Sequence, residues 1–271
     1  MSVPLAIEDV SFQYPDGTRA LEAIDLRIEP GERMVLVGQN GSGKSTLVRQ
    51  LNGLLRPTSG RVLVDGTDAI ERHVADLART VGLVFQNPDR QIFASNVRRE
   101  VAFGPRNLGL RGPDLDRRIE RALDAVGLTA DAGTNPYDLG FSRRKFLALA
   151  SILAMETPVV VLDEPTTGQD APGVERIKRV IADLSASGRT VVAVSHDMRF
   201  VAETFERVVV MAGGRVVLDG PPEAIFAEAA WPVLASTFLE PPLAARAGAR
   251  LGLGATPTEA SLVAALAARP R

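Results

Sequence analysis

The segment Gly38-Gln39-Asn40-Gly41-Ser42-Gly43-Lys44-Ser45, followed by Thr46, carries the most recognisable chemistry in the chain. It fits G-x-x-x-x-G-K-[ST], a loop that binds the phosphates of a nucleoside triphosphate. Glycines let the backbone curl until successive N–H groups face one phosphate. A helix opening at Lys44 would aim its positive end at the same anion. Lys44 can reach the β- and γ-phosphates, and the Ser45 hydroxyl can ligate Mg²⁺. At ordinary residue usage such a match arises by chance in about one chain in a hundred. A second chemical feature is Val159-Val160-Val161-Leu162-Asp163-Glu164, an apolar run ending in two carboxylates. Taken alone it reads as a strand meeting solvent. Behind a phosphate loop, Asp163 suits support of Mg²⁺, and Glu164 suits orienting or deprotonating the attacking water.

These residues need strands and helices to hold them. Val3–Phe12 and Ala20–Ile28 read as strands around a turn at Pro15-Asp16-Gly17. Met34–Val37 is a short apolar strand feeding the loop, and Lys44–Leu54 a helix after it. Strand signals recur at Arg61–Val64 and Val81–Phe85. From about Asn87 to Met155 the chain reads as mostly helical: Ile119, Ala122, Leu123 and Val126 fall at helical spacing, and Ser142 is placed to cap a helix running to Met155. Val159–Leu162 has the continuous apolar character of a strand buried on both faces. Gly173–Ser187 reads as a helix, and Thr190–Val194 and Arg207–Met211 as buried strands. Strands alternating with helices predict an α/β fold with a mostly parallel sheet. After Gly220 the composition shifts to Ala, Leu, Gly and Pro, with a short helix at Glu223–Glu228. The expected organisation is one catalytic domain over 1–220, with a helical part at about 87–156, and an accessory segment over 221–271.

Composition excludes several classes. The 271 residues include no cysteine, so disulfides and thiolate metal sites are ruled out. The net charge of −2 gives no bulk attraction to nucleic acid. Arg98-Arg99 and Arg143-Arg144-Lys145 are short runs and read as solvated surface; His73 also reads as surface. No apolar stretch approaches the ~18 residues of a membrane span, so any membrane role is expected to pass through partners.

Asp163-Glu164-Pro165-Thr166, then Gly168-Gln169-Asp170, then Val194-Ser195-His196-Asp197, in this order after the phosphate loop, resemble the ATPase subunit of ABC transporters. The resemblance covers about Val3 to Gly220. It implies a P-loop NTPase core of RecA-like type, with an N-terminal antiparallel β subdomain and an inserted helical subdomain. It implies Mg²⁺ and ATP as the bound species. Tyr14 resembles the aromatic that stacks on adenine. Gln86 resembles the glutamine that touches Mg²⁺ or the lytic water and senses the membrane partner. Glu164 resembles the catalytic base, Asp170 the aspartate at the dimer seam, and His196 the histidine that contacts the γ-phosphate. The stretches Phe85–Phe93 and Glu100–Asn107 look, more narrowly, like the ATPases of energy-coupling-factor importers, which take up vitamins or transition-metal ions. That implies a second ATPase, a transmembrane coupling subunit, a substrate-capture membrane subunit, and a place on the cytoplasmic face of the cell membrane. Asp89 and Glu100 read either as docking charges for the coupling subunit or as solvated carboxylates.

One motif departs from the family. Where it carries Leu-Ser-Gly-Gly-Gln, the aligned stretch here is Leu139-Gly140-Phe141-Ser142-Arg143. In the family this motif closes over the nucleotide of the facing subunit. Two readings stay open: a working variant in which Ser142 and Arg143 supply donors from shifted positions, or a degenerate half-site facing a non-identical partner. A conventional ABC transporter ATPase is the alternative function. A soluble ABC protein of DNA maintenance or translation fits less well, since one phosphate loop is present and only about 50 residues separate Gln86 from Leu139.

Overall fold

The computed structural model describes residues 2–269. Alternating apolar residues build β1 (Leu5–Gln13) and β2 (Arg19–Ile28), paired antiparallel with Leu5 opposite Ile28. β3 (Arg33–Gly38) is buried from Met34 onward and runs directly into the phosphate loop and α1 (Lys44–Leu51). β4 (Ser59–Val64) and β5 (Thr67–Asp68) complete a four-stranded antiparallel sheet in the order β2-β1-β4-β5. A single turn, α2 (Val74–Leu77), leads to β6 (Val81–Val84). Then α3 (Val97–Asn107), α4 (Gly112–Val126) and α5 (Phe141–Leu153) pack on one another as a helical layer. The chain returns to the core through β7 (Val159–Asp163), α6 (Ala171–Ala186), β8 (Thr190–Val194), α7 (Met198–Thr204), β9 (Arg207–Ala212) and β10 (Arg215–Gly220). Four short helices follow: α8 (Pro222–Ile225), α9 (Trp231–Ser236), α10 (Leu243–Arg250) and α11 (Glu259–Ala267).

The second sheet has the order β10-β9-β3-β8-β7-β6, parallel except for β10 against β9. Its strands alternate between two apolar cores. Val35, Val37, Val160 and Leu162 face the helical side; Met34, Leu36, Val159 and Val161 face α1 and the antiparallel sheet. Each such side chain, fully buried, contributes about 1.5–3 kcal/mol. β3 and β7 are thus held from both faces, and their C-terminal ends are where the phosphate loop and the two carboxylates emerge. Ile225, Phe226, Leu234, Leu239 and Ala245 from the segment after Gly220 join the helical-side core.

The α/β class, the antiparallel N-terminal sheet and the helical insertion agree with the expected fold. Three local expectations need correction. The helix after the phosphate loop stops at Leu51, because Asn52 and then Gly53, at φ +73°, turn the backbone out of it. Ser142 does not cap α5. The first intrahelical bond runs from the Arg144 N–H to the Gly140 carbonyl, so Gly140 is the capping residue and Ser142 lies within the first turn. The Arg143-Arg144-Lys145 run is not uniformly solvated: Lys145 is 4% exposed. β10 was not anticipated from the sequence at all.

Candidate nucleotide site

A cleft of about 320 Å³ opens where β3 passes into α1, lined by Tyr14, Asn40, Gly41, Gly43, Lys44, Ser45, Thr46, Gln86 and Glu164 among others. Its floor demands glycine. Gly38 has φ +152°, and a Cβ there would lie 2.3 Å from the Met211 carbonyl; Gly43 has φ +101°, and a Cβ would lie 2.4 Å from the Ala20 carbonyl. Gln39, Asn40 and Gly41 are exposed at the lip, and Ser42 is buried beneath them. Lys44 spans the loop from inside, its Nζ donating to the Gly38 and Gln39 carbonyls at 2.8 Å each and to Ser42 Oγ at 3.3 Å. Burial pushes its ammonium pKa down, opposed by the nearby Glu164 and Asp163 carboxylates. An anion in the cleft would favour the charged form again.

Ser45 Oγ donates to Asp163 Oδ1 at 3.2 Å, joining α1 to the end of β7. Burial raises the Asp163 carboxyl pKa, and the Ser45 hydrogen bond partly offsets this. A hydroxyl and a carboxylate held side by side, with the Gln86 amide lining the same cleft, form the all-oxygen donor set that Mg²⁺ takes. The residues present therefore fit that ion.

Glu164 leaves β7 with φ +51°, a left-handed conformation uncommon for a residue with a side chain. Its N–H is tied to the Val194 carbonyl at 2.9 Å. One carboxylate oxygen, Oε2, lies 2.8 Å from His196 Nδ1; the glutamate side chain is 9% exposed and the histidine 64%. The pair sits at the adjacent ends of β7 and β8, whose parallel register sets Asp163 opposite Val194. Tyr14 stands on the wall, its ring edge-on to Phe12 and its hydroxyl 2.9 Å from Thr46 Oγ1.

The remaining singled-out residues lie elsewhere. Ser142, Arg143 and Asp170 line a separate cavity of about 190 Å³ where α5 and α6 begin. Asp170 caps α6, its Oδ1 accepting the Gly173 N–H at 2.9 Å. Leu139 is buried, whereas Gly140 and Phe141 are exposed. Ser142 Oγ donates to Gln169 Oε1 at 2.6 Å, and Arg143 is ion-paired with Asp131. Glu100, read as a docking charge or a solvated carboxylate, is neither: it is 2% exposed and accepts the Phe93 and Ala94 N–H groups at 3.0 and 2.7 Å. A backbone loop running into α3 needed an acceptor, and Glu100 one turn into the helix supplies it. Asp89 remains partly exposed and pairs with Arg144 at 3.0 Å.

Two residues near the site were named in the sequence reading without a role of their own. Lys145 donates from Nζ to the carbonyls of Glu164 and Thr167, the latter at 3.0 Å, and burial pushes its pKa down to about 8. Gln169 closes a reciprocal pair with Ser142, returning its Nε2 donor to the Ser142 carbonyl at 3.2 Å. Helical spacing could have found Lys145, because it lies three residues before Ala148 and four before Leu149, both buried on the inward face of α5.

Known proteins resemble this chain in sequence and in fold. The family model described as ABC transporter matches residues 21–167. The energy-coupling factor transporter ATP-binding protein EcfA of Methanothermobacter thermautotrophicus is 42% identical over 227 residues, covering 83% of this chain and 73% of that protein. The solved structure of cbiO1 from Clostridium perfringens, part of the ABC transporter complex cbiONQ, superposes with a TM-score of 0.77 at 35% identity, over 93% of this chain and 100% of that one. A dimeric ATP-binding cassette solved in a post-hydrolysis state with ADP and Pi superposes at 0.74 with 26% identity, over 80% of this chain and 98% of that one. Sequence kinship at this level, carried across nearly the whole fold, places the chain in the ABC transporter family as an ATP-binding and hydrolysing cassette of the energy-coupling-factor type.

Proposed function

We propose that this chain powers an energy-coupling-factor importer for a vitamin or a transition-metal ion, hydrolysing ATP at the cleft between β3 and β7. The observation that carries the chemistry is the contact of Glu164 with His196 beside the phosphate loop, 2.8 Å from Oε2 to Nδ1. Tyr14 stacks on the adenine. The loop N–H groups and Lys44 hold the β- and γ-phosphates, the lysine leaving its carbonyl partners for them. Ser45, Asp163 and Gln86 would hold Mg²⁺, which would supply charge neutralisation at the phosphate oxygens. Gln86 and Glu164 orient the attacking water, and Glu164 accepts its proton. His196 exchanges its Glu164 partner for the γ-phosphate. Rate enhancement comes from positioning and charge stabilisation rather than covalent chemistry.

The proposed assembly has two cassettes, a transmembrane coupling subunit and a substrate-capture membrane subunit, with the chain on the cytoplasmic face of the membrane as a peripheral subunit and with no nucleic-acid role. Among the described residues no helix is long and apolar enough to cross a membrane, and the proposed attachment is through a partner. A groove of about 350 Å³ between the helical layer and α2, flanked by Phe93 and Phe103 at 59% and 48% exposure and lined by Met155, suits an apolar helix of the coupling subunit.

A second observation favours a non-identical partner. Ser142 and Arg143, the residues that would lend donors from shifted positions, are engaged by Gln169 and Asp131. The α5 terminus is left with backbone N–H groups alone to offer the facing nucleotide. The test is to purify the chain alone and together with whatever second ATPase accompanies it from membranes. Turnover should be low alone and rise at least tenfold in the mixed complex; full activity of the homodimer would refute the heteromeric reading. Co-purification with no integral membrane protein would refute the transporter assignment.

A further inference from the structure

The α5 helix is fastened to the loop that follows β7 at three points. Lys145 Nζ donates to the carbonyls of Glu164 and Thr167. Ser142 and Gln169 exchange hydrogen bonds in both directions, at 2.6 and 3.2 Å. The Phe141 ring lies against Gly168, where a Cβ would come within 2.8 Å of Cε1. Of these, only Lys145 touches Glu164 itself. The Glu164 carbonyl is turned inward by the left-handed backbone at that residue, φ +51°, and Lys145 is the donor that meets it. Without that donor the carbonyl would keep only the long bond from the Thr167 N–H, 3.4 Å, and the chain could relieve the shortfall by rotating the 164–165 peptide. Such a rotation would swing the Glu164 side chain.

We infer that Lys145 is a positioning residue for ATP hydrolysis: it fixes the backbone of Glu164, and through it the carboxylate, to the first turns of the helix whose N-terminus faces the other subunit's nucleotide. The inference rests on the proposed role of Glu164 as base. It gives the unusual sequence at the start of α5 a use within its own subunit. Phe141, Ser142 and Lys145 make α5 and the Glu164–Gln169 loop move as one piece, so closure of the dimer on α5 is felt at Glu164. A lysine suits this because one Nζ can serve two carbonyls at once, with or without its third proton. A misplacement of the carboxylate by about 1 Å is enough to cost on the order of a hundredfold in rate.

The experiment compares Lys145→Met, Lys145→Gln and Glu164→Gln, singly and as the Lys145→Met/Glu164→Gln double variant, in the full-length chain within its complex. Turnover, ATP affinity and melting temperature are measured for each. Lys145→Met is expected to lower kcat at least tenfold while ATP Kd stays within twofold, and Lys145→Gln, which keeps a donor, should restore at least a third of the activity. In the Glu164→Gln background, adding Lys145→Met should change the residual rate less than twofold, since the residue acts through Glu164. Undiminished kcat in Lys145→Met overturns the inference; so does an equal loss in both backgrounds, or a rise in Kd and a drop in melting temperature that match the fall in kcat. If Lys145→Met does not fold, Lys145→Gln decides alone: a kcat that is lowered but stays above a third of the parent's, with intact nucleotide binding, supports positioning, and an undiminished kcat or a loss of nucleotide binding overturns it. Full turnover in Glu164→Gln by itself would instead strike at the role of Glu164, a failure distinguishable from that of Lys145.

Discussion

In the proposed mechanism the C-terminal ends of β3 and β7 and the N-terminus of α5 both take part in ATP chemistry, yet they are built differently. At the strand ends, polar groups are aimed into an open cleft and held from beneath by a core with two apolar faces. Lys44, Ser45, Asp163, Glu164 and His196 each have a partner that a nucleotide and its ion could replace. At α5 the side chains turn inward or sideways: Ser142 to Gln169, Arg143 to Asp131, Arg144 to the Leu139 carbonyl and Asp89, Lys145 to the Glu164 loop. The first region is organised to receive a ligand of its own. The second is organised to support its neighbour in the same chain, and offers a facing nucleotide little besides backbone. On the proposed reading a subunit thus keeps its own half-site complete while contributing a reduced half-site to its partner.

The contrast is broken most severely at Glu164. Glu164→Gln keeps shape and leaves an amide facing His196, but removes the proton acceptor. Turnover should fall about 10²–10³-fold with ATP affinity preserved, measured by phosphate release and equilibrium nucleotide binding. A loss of affinity equal to the loss of rate would show that the residue binds rather than catalyses.

Gly38→Ala probes the backbone beneath that site. The added Cβ would meet the Met211 carbonyl at 2.3 Å, at a φ of +152° that side chains seldom adopt. That contact cannot yield without moving β9 or the phosphate loop. A stability loss of roughly 2–4 kcal/mol is expected, read from urea unfolding, together with weakened ATP binding. Gly140→Ala, where nothing lies within 4 Å, should be close to neutral by the same assay.

Asp163→Asn separates stability from function at the strand ends. Burial raises the Asp163 pKa, so ionising this carboxyl costs the ligand-free fold stability. Asparagine removes that cost but keeps an acceptor for Ser45. The ligand-free variant should melt slightly higher than the parent and lose Mg²⁺-dependent ATP hydrolysis. A lower melting temperature would mean that the Ser45 bond outweighs the burial of charge.

The two regions were also unequally legible in the sequence. The phosphate loop and the Val159–Glu164 run announce themselves because their chemistry is local: glycines that must curl, and an apolar strand that must end in acid. Lys145 hid in a basic run that reads as solvated surface, because its partners are carbonyls some twenty residues away, invisible to local composition. Glu100 hid similarly, since its partners are backbone N–H groups of the preceding loop. β10 escaped because an edge strand with half-exposed residues lacks the continuous apolar signal of its buried neighbours. Ser142 looked like a cap because capping residues are recognised by type; a glycine whose carbonyl accepts the first helical bond gives no such signal.

Lys145 also predicts a pH dependence that the strand-end residues share only in part. With its pKa pushed from 10.5 down to about 8 by burial, the lysine is charged in both folded and unfolded chains below that pH. Between about 8 and 10.5 the folded chain has released a proton that the unfolded chain still holds, so stability rises with pH, by at most about 1.4 kcal/mol per unit. Lys44 is shifted in the same direction and adds to the rise. The difference in unfolding free energy between the parent and Lys145→Met, followed from pH 7.5 to 10, isolates the Lys145 part. It should move in the parent's favour as pH increases; a flat difference would mean that the buried ammonium is better solvated than its surroundings suggest.

The smallest effect sharpens the contrast from the other side. Gly140 has φ −61° and ψ 160°, the extended geometry of a capping residue, and an added side chain would meet nothing within 4 Å. Gly140→Ser therefore places a hydroxyl at the α5 terminus without strain, and the first-turn N–H groups gain an acceptor worth a few tenths of a kcal/mol over glycine. The melting temperature should rise by a degree or so. More telling is the rate. If α5 limits the homodimer because it lacks a side-chain donor for the facing γ-phosphate, the new hydroxyl should raise turnover of the purified chain severalfold while leaving the Glu164→Gln variant as slow as before. An unchanged rate, with the small stabilisation present, would place the limit in the inward-turned Ser142 and Phe141 instead, and the next substitution to make would be at Ser142.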